Sequence, residues 1–151
     1  MHDLAAEHPD RVAQLKARYD AWFDDVTGSR DYAAPSRIFL GPGQENPVLV
    51  TRQDWRGSGA SWGPKGIGHW EVNVVTPARY QIKLRFNPLK SAGEATLPCS
   101  GVSLRQAVGA GAAECVFENV RLPVGTSRLE AALQDGPSVV GVQYVEVKRV
   151  D

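Results

Sequence analysis

Hydrophobic positions in this sequence follow two different periods, one on either side of Pro35. Before it, Val12, Leu15, Tyr19, Trp22, Phe23 and Val26 recur at the three-and-four spacing that lines one face of an α-helix, with Asp10, Arg11, Lys16, Arg18, Asp24 and Asp25 elsewhere around it. The pattern predicts a helix starting near His8, where Pro9 suits the first helical position and Asp10 sits against the positive helix end. It should stop at Thr27-Gly28, and residues 27–36 then read as a linker without a period.

Past Pro35 apolar residues alternate with polar ones. Arg37 to Leu40 and Val48 to Arg52 read as short strands, followed by a long Gly- and Trp-rich loop from Gln53 to Gly68. Trp70, Val72 and Val74 then alternate with Glu71 and Asn73, Thr76-Pro77-Ala78 turns the chain, and Tyr80, Ile82, Leu84 and Phe86 alternate with Gln81, Lys83 and Arg85. That pair is expected to form a β-hairpin. Further strands are expected from Glu94 to Cys99, Val102 to Val108, Glu114 to Val120, Ser127 to Leu133 and Val139 to Arg149, with turns at Gly101, Gly109, Gly125 and Asp135-Gly136. The fold class that follows is mainly β, a β-sandwich or jelly roll preceded by one N-terminal α-helix. Its parts are a helix over residues 1–26, a linker over 27–36 and a sandwich over 37–151.

Composition narrows the function. With 151 residues, 42% of them apolar, the chain can bury one core and little more. Its 17 basic and 17 acidic residues balance, and no basic run occurs, which argues against a nucleic-acid or anionic-membrane surface. The apolar stretches are strand-sized, and Met1-His2-Asp3-Leu4 carries no signal-like apolar segment.

Catalytic groups are sparse. The histidines are His2, His8 and His69, and neither a His-Glu-x-x-His pattern, a phosphate loop nor a Gly-x-Ser-x-Gly elbow is present. No catalytic residue and no metal ligand is assigned. Cys99 and Cys115 fall in two expected strands and could face one another if those strands pair, either as buried thiols or as a disulfide.

The most functional-looking segment is QDWRGSGASWGPKGIG, residues 53–68, which brings Trp55 and Trp62 together with the adjoining Arg52 and with Asp54, Arg56, Lys65 and five glycines. Aromatic rings stack on the apolar faces of sugars, and Arg and Lys suit a sulfate or carboxylate group, so Trp55, Arg56, Trp62 and Lys65 are the candidate ligand-binding residues. The competing reading has the tryptophans closing the end of the sandwich or packing on a neighbouring domain. On the helix, Leu15, Tyr19, Trp22 and Phe23 are candidate interface residues, expected to dock on the sandwich or on a second copy of the chain in a homodimer.

The stretch His2-Asp3-Leu4-Ala5-Ala6-Glu7-His8-Pro9, with Val12, Leu15 and Tyr19, resembles the end of the catalytic domain of the type I sulfatases, the arylsulfatase family. The part beyond Pro35 resembles an accessory β-sandwich of bacterial sulfatases, and the segment from Trp70 to Phe86 is also similar to galactose-binding-like and carbohydrate-binding modules. The resemblance implies that calcium and the formylglycine nucleophile belong to a catalytic domain absent from this chain, which itself needs no cofactor. Pro35-Ser36-Arg37 mimics the end of the nucleophile motif, but Ala33 stands at the nucleophile's place and its methyl group cannot become an aldehyde.

Two functions follow as expectations. The first is a non-catalytic C-terminal part of a periplasmic or secreted sulfatase, partnered by its catalytic domain. The alternative is an autonomous carbohydrate-binding module partnered by a glycan.

Overall fold

The computed structural model describes residues 3–28, 34 and 36–151. Most of the expected linker, with Ala33 and Pro35 of the motif mimic, lies outside the described residues, as does His2. The chain forms two compact units, divided between Pro35 and Ser36.

In the first unit, helix α1 spans Pro9–Thr27, as the apolar period predicts. Pro9 occupies its first turn, where a missing N–H costs nothing, and the Gly28 N–H donates to the Asp24 carbonyl to close the last turn. Lys16 and Asp20 form an i,i+4 ion pair at 2.6 Å. The apolar stripe is laid out as expected, with the rings of Tyr19 and Trp22 5.7 Å apart at their centroids and Leu15, Tyr19 and Trp22 all exposed.

The second unit is a two-sheet sandwich. Among the described residues it has eleven strands: β1 (Ile38–Leu40), β2 (Val48–Thr51), β3 (His69–Val74), β4 (Ala78–Arg85), β5 (Gly93–Cys99), β6 (Val102–Val108), β7 (Glu114–Leu122), β8 (Gly125–Glu130), β9 (Ala132–Asp135), β10 (Ser138–Gly141) and β11 (Tyr144–Arg149). The larger sheet runs β1-β3-β8-β5, with β6 on the far side of β5 and β9 and β10 continuing the pattern. Cys99 of β5 faces Leu129 of β8 and Ala95 faces Leu133 of β9, so β8 and β9 are one line of chain interrupted at Ala131. The smaller sheet runs β2-β11-β4-β7.

Alternation explains the core. Trp70, Val72 and Val74 of β3 and Leu97 of β5 point inward from one sheet, and Tyr80, Ile82 and Leu84 of β4 and Val145 of β11 from the other. All eight are fully buried, and among the described residues no charged or polar residue joins them. The two large amphipathic rings satisfy their polar ends: the Trp70 indole N–H donates to the Thr51 carbonyl at 2.6 Å, and the Tyr80 hydroxyl to the Thr76 carbonyl at 2.6 Å.

Two expectations about pairing need correction. β3 and β4 do not form a hairpin, since β3 pairs with β1 and β8 while β4 pairs with β11 and β7. The connection crosses the sandwich, and its Val75 N–H and Thr76 hydroxyl donate to Leu40 and Gly41 instead of closing a two-strand turn. The expected strand from Val139 to Arg149 is two strands in opposite sheets, with the buried Val142 at the crossing. Cys99 and Cys115 lie in opposite sheets on strands that do not pair, and both are free, buried thiols, one of the two states expected for them.

Candidate functional site

The loop from Gln53 to Gly68 is organised by a residue just ahead of it. Arg52 donates through Nε to the Val142 carbonyl at 2.8 Å, through Nη2 to Gly141 at 3.1 Å, and through Nη1 to Trp62 at 3.0 Å and Gly63 at 2.8 Å. One planar fork thus ties the loop to the crossing between β10 and β11, a task that suits the fixed donor geometry of a guanidinium. Partial burial pulls the Arg52 pKa below its ordinary value.

Beneath that guanidinium the two loop tryptophans part company. Trp55 is only 6% exposed, its ring 5.4 Å from that of Trp70, so it is packed inside the sandwich and offers no face to a sugar. This corrects the expectation that Trp55 and Trp62 share one platform, and it realises the competing reading for Trp55 alone. The glycines make the burial possible: a Cβ on Gly68 would lie 2.8 Å from the Trp55 ring, and one on Gly141 would run into the Gly66 carbonyl and 2.7 Å from the same indole. Among the described residues no group accepts the Trp55 indole N–H.

Trp62, by contrast, is 75% exposed, with its own carbonyl held by Arg52. Two residues further on, Pro64 and Lys65 line a cleft of about 420 Å³ whose opposite walls are Asn87 to Ser91 and the turn around Asp135 and Pro137. Proline and aliphatic surfaces supply its floor, while Lys65, Lys90, Asn87 and Ser138 supply polar groups. Asp135 accepts the Ser91 N–H at 2.9 Å, and Asn87 accepts from Gln143 at 2.8 Å, so the walls are braced from behind. The size and the mixed lining suit a small organic ligand. Lys65 therefore lies in the cleft. Arg56 does not: its backbone bridges His69, and its side chain is exposed.

Lys90, Asn87 and Asp135 were not singled out from the sequence. They come from the segment after β4 and the β9–β10 turn, brought together only by the sandwich, and their sole sequence signal is the turn chemistry of Asn87-Pro88 and Asp135-Gly136-Pro137.

Other groups with chemical potential are engaged elsewhere. Glu71 accepts from Arg37 at 2.8 Å and Arg128 at 3.1 Å, with His69 Nε2 3.4 Å away. The hydrogen bond from Arg128 holds the Glu71 carboxyl below the usual glutamate range, partial desolvation opposes it, and the charges of Arg37, Arg128 and His69 reinforce it. Burial pushes the Cys99 and Cys115 thiols up, which disfavours the thiolate a nucleophile requires. Among the described residues no three His, Cys, Asp or Glu side chains converge as metal ligands would.

No known family profile and no curated protein matches this chain. Solved structures do share its fold. The CBM36-1 domain of a multidomain xylanase from the hindgut metagenome of Trinervitermes trinervoides has a TM-score of 0.54 at 14% identity, covering 70% of this chain and 99% of that domain. The mannan-binding module from Man5C, in bound conformation, has a TM-score of 0.51 at 17% identity over 69% of this chain and 99% of the module. A ruminal GH26 endo-β-1,4-mannanase has a TM-score of 0.50 at 16% identity over 70% of this chain, which spans only 26% of that enzyme. At these identities the likeness is one of fold: the chain is mainly β, a sandwich shared with carbohydrate-binding modules and preceded by one helix. No comparison links it to the sulfatases.

Proposed function

We propose that residues 36–151 are a carbohydrate-binding module that holds a glycan on the loop bearing Trp62 and in the cleft beside Lys65. The single observation that carries this reading is the pairing of a 75% exposed tryptophan with a loop backbone fixed by Arg52. An exposed indole on a mobile loop would lose much of its stacking energy to ordering, whereas a clamped one meets a sugar ring with little left to freeze. The almost complete coverage of two carbohydrate-binding modules supports the same reading. Calorimetric titration with mannan, xylan and sulfated galactan tests it. Trp62→Ala should lower the affinity for whichever polysaccharide binds by about tenfold or more, equivalent to ~1.4 kcal/mol. Unchanged affinity in that variant, or no binding to any of the three, overturns the proposal.

A second reading rests on α1, whose stripe of Leu15, Tyr19 and Trp22 is exposed. It makes residues 1–26 the last helix of a type I sulfatase catalytic domain, with the stripe built for that domain, in a periplasmic or secreted sulfuric ester hydrolase. Calcium and formylglycine would be held by the catalytic domain and not by this chain. A Cys/Ser-x-Pro-Ser-Arg motif encoded upstream would support it, and the purified chain should then hydrolyse no aryl sulfate. Self-association abolished by Trp22→Ala would instead assign the stripe to a second copy.

A further inference from the structure

On the outward face of the smaller sheet, three side chains of β4 each meet a carboxylate. Lys83 of β4 meets Glu146 of β11 at 3.9 Å, Arg85 meets Glu114 of β7 at 3.5 Å, and Gln81 donates to Glu118 at 2.9 Å. In the remaining row the register sets Arg79 of β4 directly opposite Arg121 of β7. Directly opposed residues on neighbouring strands have Cβ atoms about 5 Å apart, a distance at which like charges repel. Both side chains are exposed, and among the described residues neither guanidinium has an ion-pair or hydrogen-bond partner.

The pair lines an open groove of about 560 Å³ flanked by Pro77 and Pro123, both exposed, and by Asp151. The groove also holds the Asp151 carboxylate, whose Oδ1 accepts the Arg79 backbone N–H at 2.7 Å and not a guanidinium proton. Lys148 of β11, opposite Gln81 in the next row, adds a third cation to this end of the face. Two exposed guanidinium forks set opposite each other on neighbouring strands, neither engaged by an ion pair among the described residues, match the planar oxygens of a carboxylate or sulfate group. The flanking prolines supply flat apolar surface of the kind a sugar ring packs against.

We propose that Arg79 and Arg121 form an anion-binding subsite for the carboxylate or sulfate groups of an acidic polysaccharide. The choice of a glycan as bearer of that anion rests on the carbohydrate-binding reading; the anion site itself rests on the arginine pair. A nucleic acid is the poorer fit, because the chain's 17 basic and 17 acidic residues balance and a phosphate backbone is tracked by an extended run of cations. The subsite lies at the opposite end of β4 from Asn87, about 25 Å away along the strand, so it is separate from the cleft at Lys65.

The test titrates the full chain with polygalacturonate, a sulfated galactan, neutral mannan and a single-stranded oligonucleotide, and follows the arginine Nε–H signals by NMR with sodium sulfate alone. Polygalacturonate or the sulfated galactan should bind, and the double variant Arg79→Gln with Arg121→Gln should weaken that binding by about tenfold or more while leaving any mannan binding unchanged. Arg121→Glu, which sets a carboxylate opposite Arg79, should abolish the acidic-polymer effect in a chain that still folds. Which acidic polymer responds separates carboxylate from sulfate. Unchanged acidic-polymer affinity in the double variant, or tighter binding of the oligonucleotide than of either acidic polysaccharide, overturns the proposal. If sulfate alone perturbs the Arg79 and Arg121 signals while no polysaccharide binds, the proposed glycan is wrong, although the pair still binds anions. If acidic binding survives Trp62→Ala while mannan binding is lost, both sites stand independently.

Discussion

The guanidinium of Arg52 lies 4.7 Å above the ring of Trp55, so one residue both covers the buried indole and reaches past it to four backbone carbonyls. The Trp62 loop inherits its shape from that contact. Arg52→Ala should cost about 1–3 kcal/mol in urea unfolding, because it strands carbonyls and uncovers an aromatic face together. Arg52→Lys should recover little, since a single ammonium with three donors cannot reproduce a planar fork that addresses four carbonyls. Amide exchange at residues 61–66 should accelerate in both variants, and unaltered exchange there would show that the loop is held by something else.

Trp55 and Trp62 should separate stability from binding. Trp55→Ala removes a ring packed on Trp70 and is expected to cost about 3–5 kcal/mol. Trp62→Ala removes an exposed ring and should stay within about 0.5 kcal/mol of the parent while weakening glycan binding. A large stability loss from Trp62→Ala would place that ring in the core and remove it from the site.

The contrast between these tryptophans marks how far the sequence could be read. Period-two alternation correctly set the inward residues of β3 and β4, because burial of one sheet face dictates it. Pairing was not legible, since Trp70, Val72 and Val74 followed by Tyr80, Ile82 and Leu84 show the same alternation whether the strands lie side by side or face each other across a core. The helix was legible to within a residue or two from its apolar stripe and Pro9. Which tryptophan is buried depends on Gly68, Gly141 and Arg52 meeting Trp55 in space, a convergence that composition of the loop does not encode. The cleft was hidden for the same reason, because Lys65, Lys90 and Asp135 belong to three separate connections.

Gly141→Ala tests the close approach behind the clamp. Its Cβ would run into the Gly66 carbonyl, which is backbone and cannot swing aside, and would press on the Trp55 ring. Overpacking of that kind is expected to cost about 1–3 kcal/mol. The readout is the urea midpoint; a midpoint unchanged from the parent would mean that the loop relaxes without penalty.

Glu71 should shape the acid limb of stability. Its folded pKa is depressed by the Arg128 hydrogen bond and the nearby charges, so its contribution is fully present above the unfolded glutamate value of about 4.3 and is lost as pH falls through the folded value. Glu71→Gln should therefore lower the melting temperature near neutral pH and flatten its fall between about pH 5 and pH 2. A parallel acid limb in parent and variant would show that other carboxylates carry the dependence.

The opposed arginines carry a stability signature that is independent of any ligand. Their direct pairing is unfavourable, so Arg121→Glu should raise stability by about 0.2–1 kcal/mol, replacing repulsion across β4 and β7 with attraction. Because both side chains are exposed, the gain should shrink as salt rises and nearly vanish at about 1 M, where the screening length falls to ~3 Å. Thermal melts of parent and variant at low and high salt give the comparison. A gain that persists at high salt would trace to packing against Pro123 and not to charge, and a loss at low salt would show that the two guanidinium groups turn away from each other in solution.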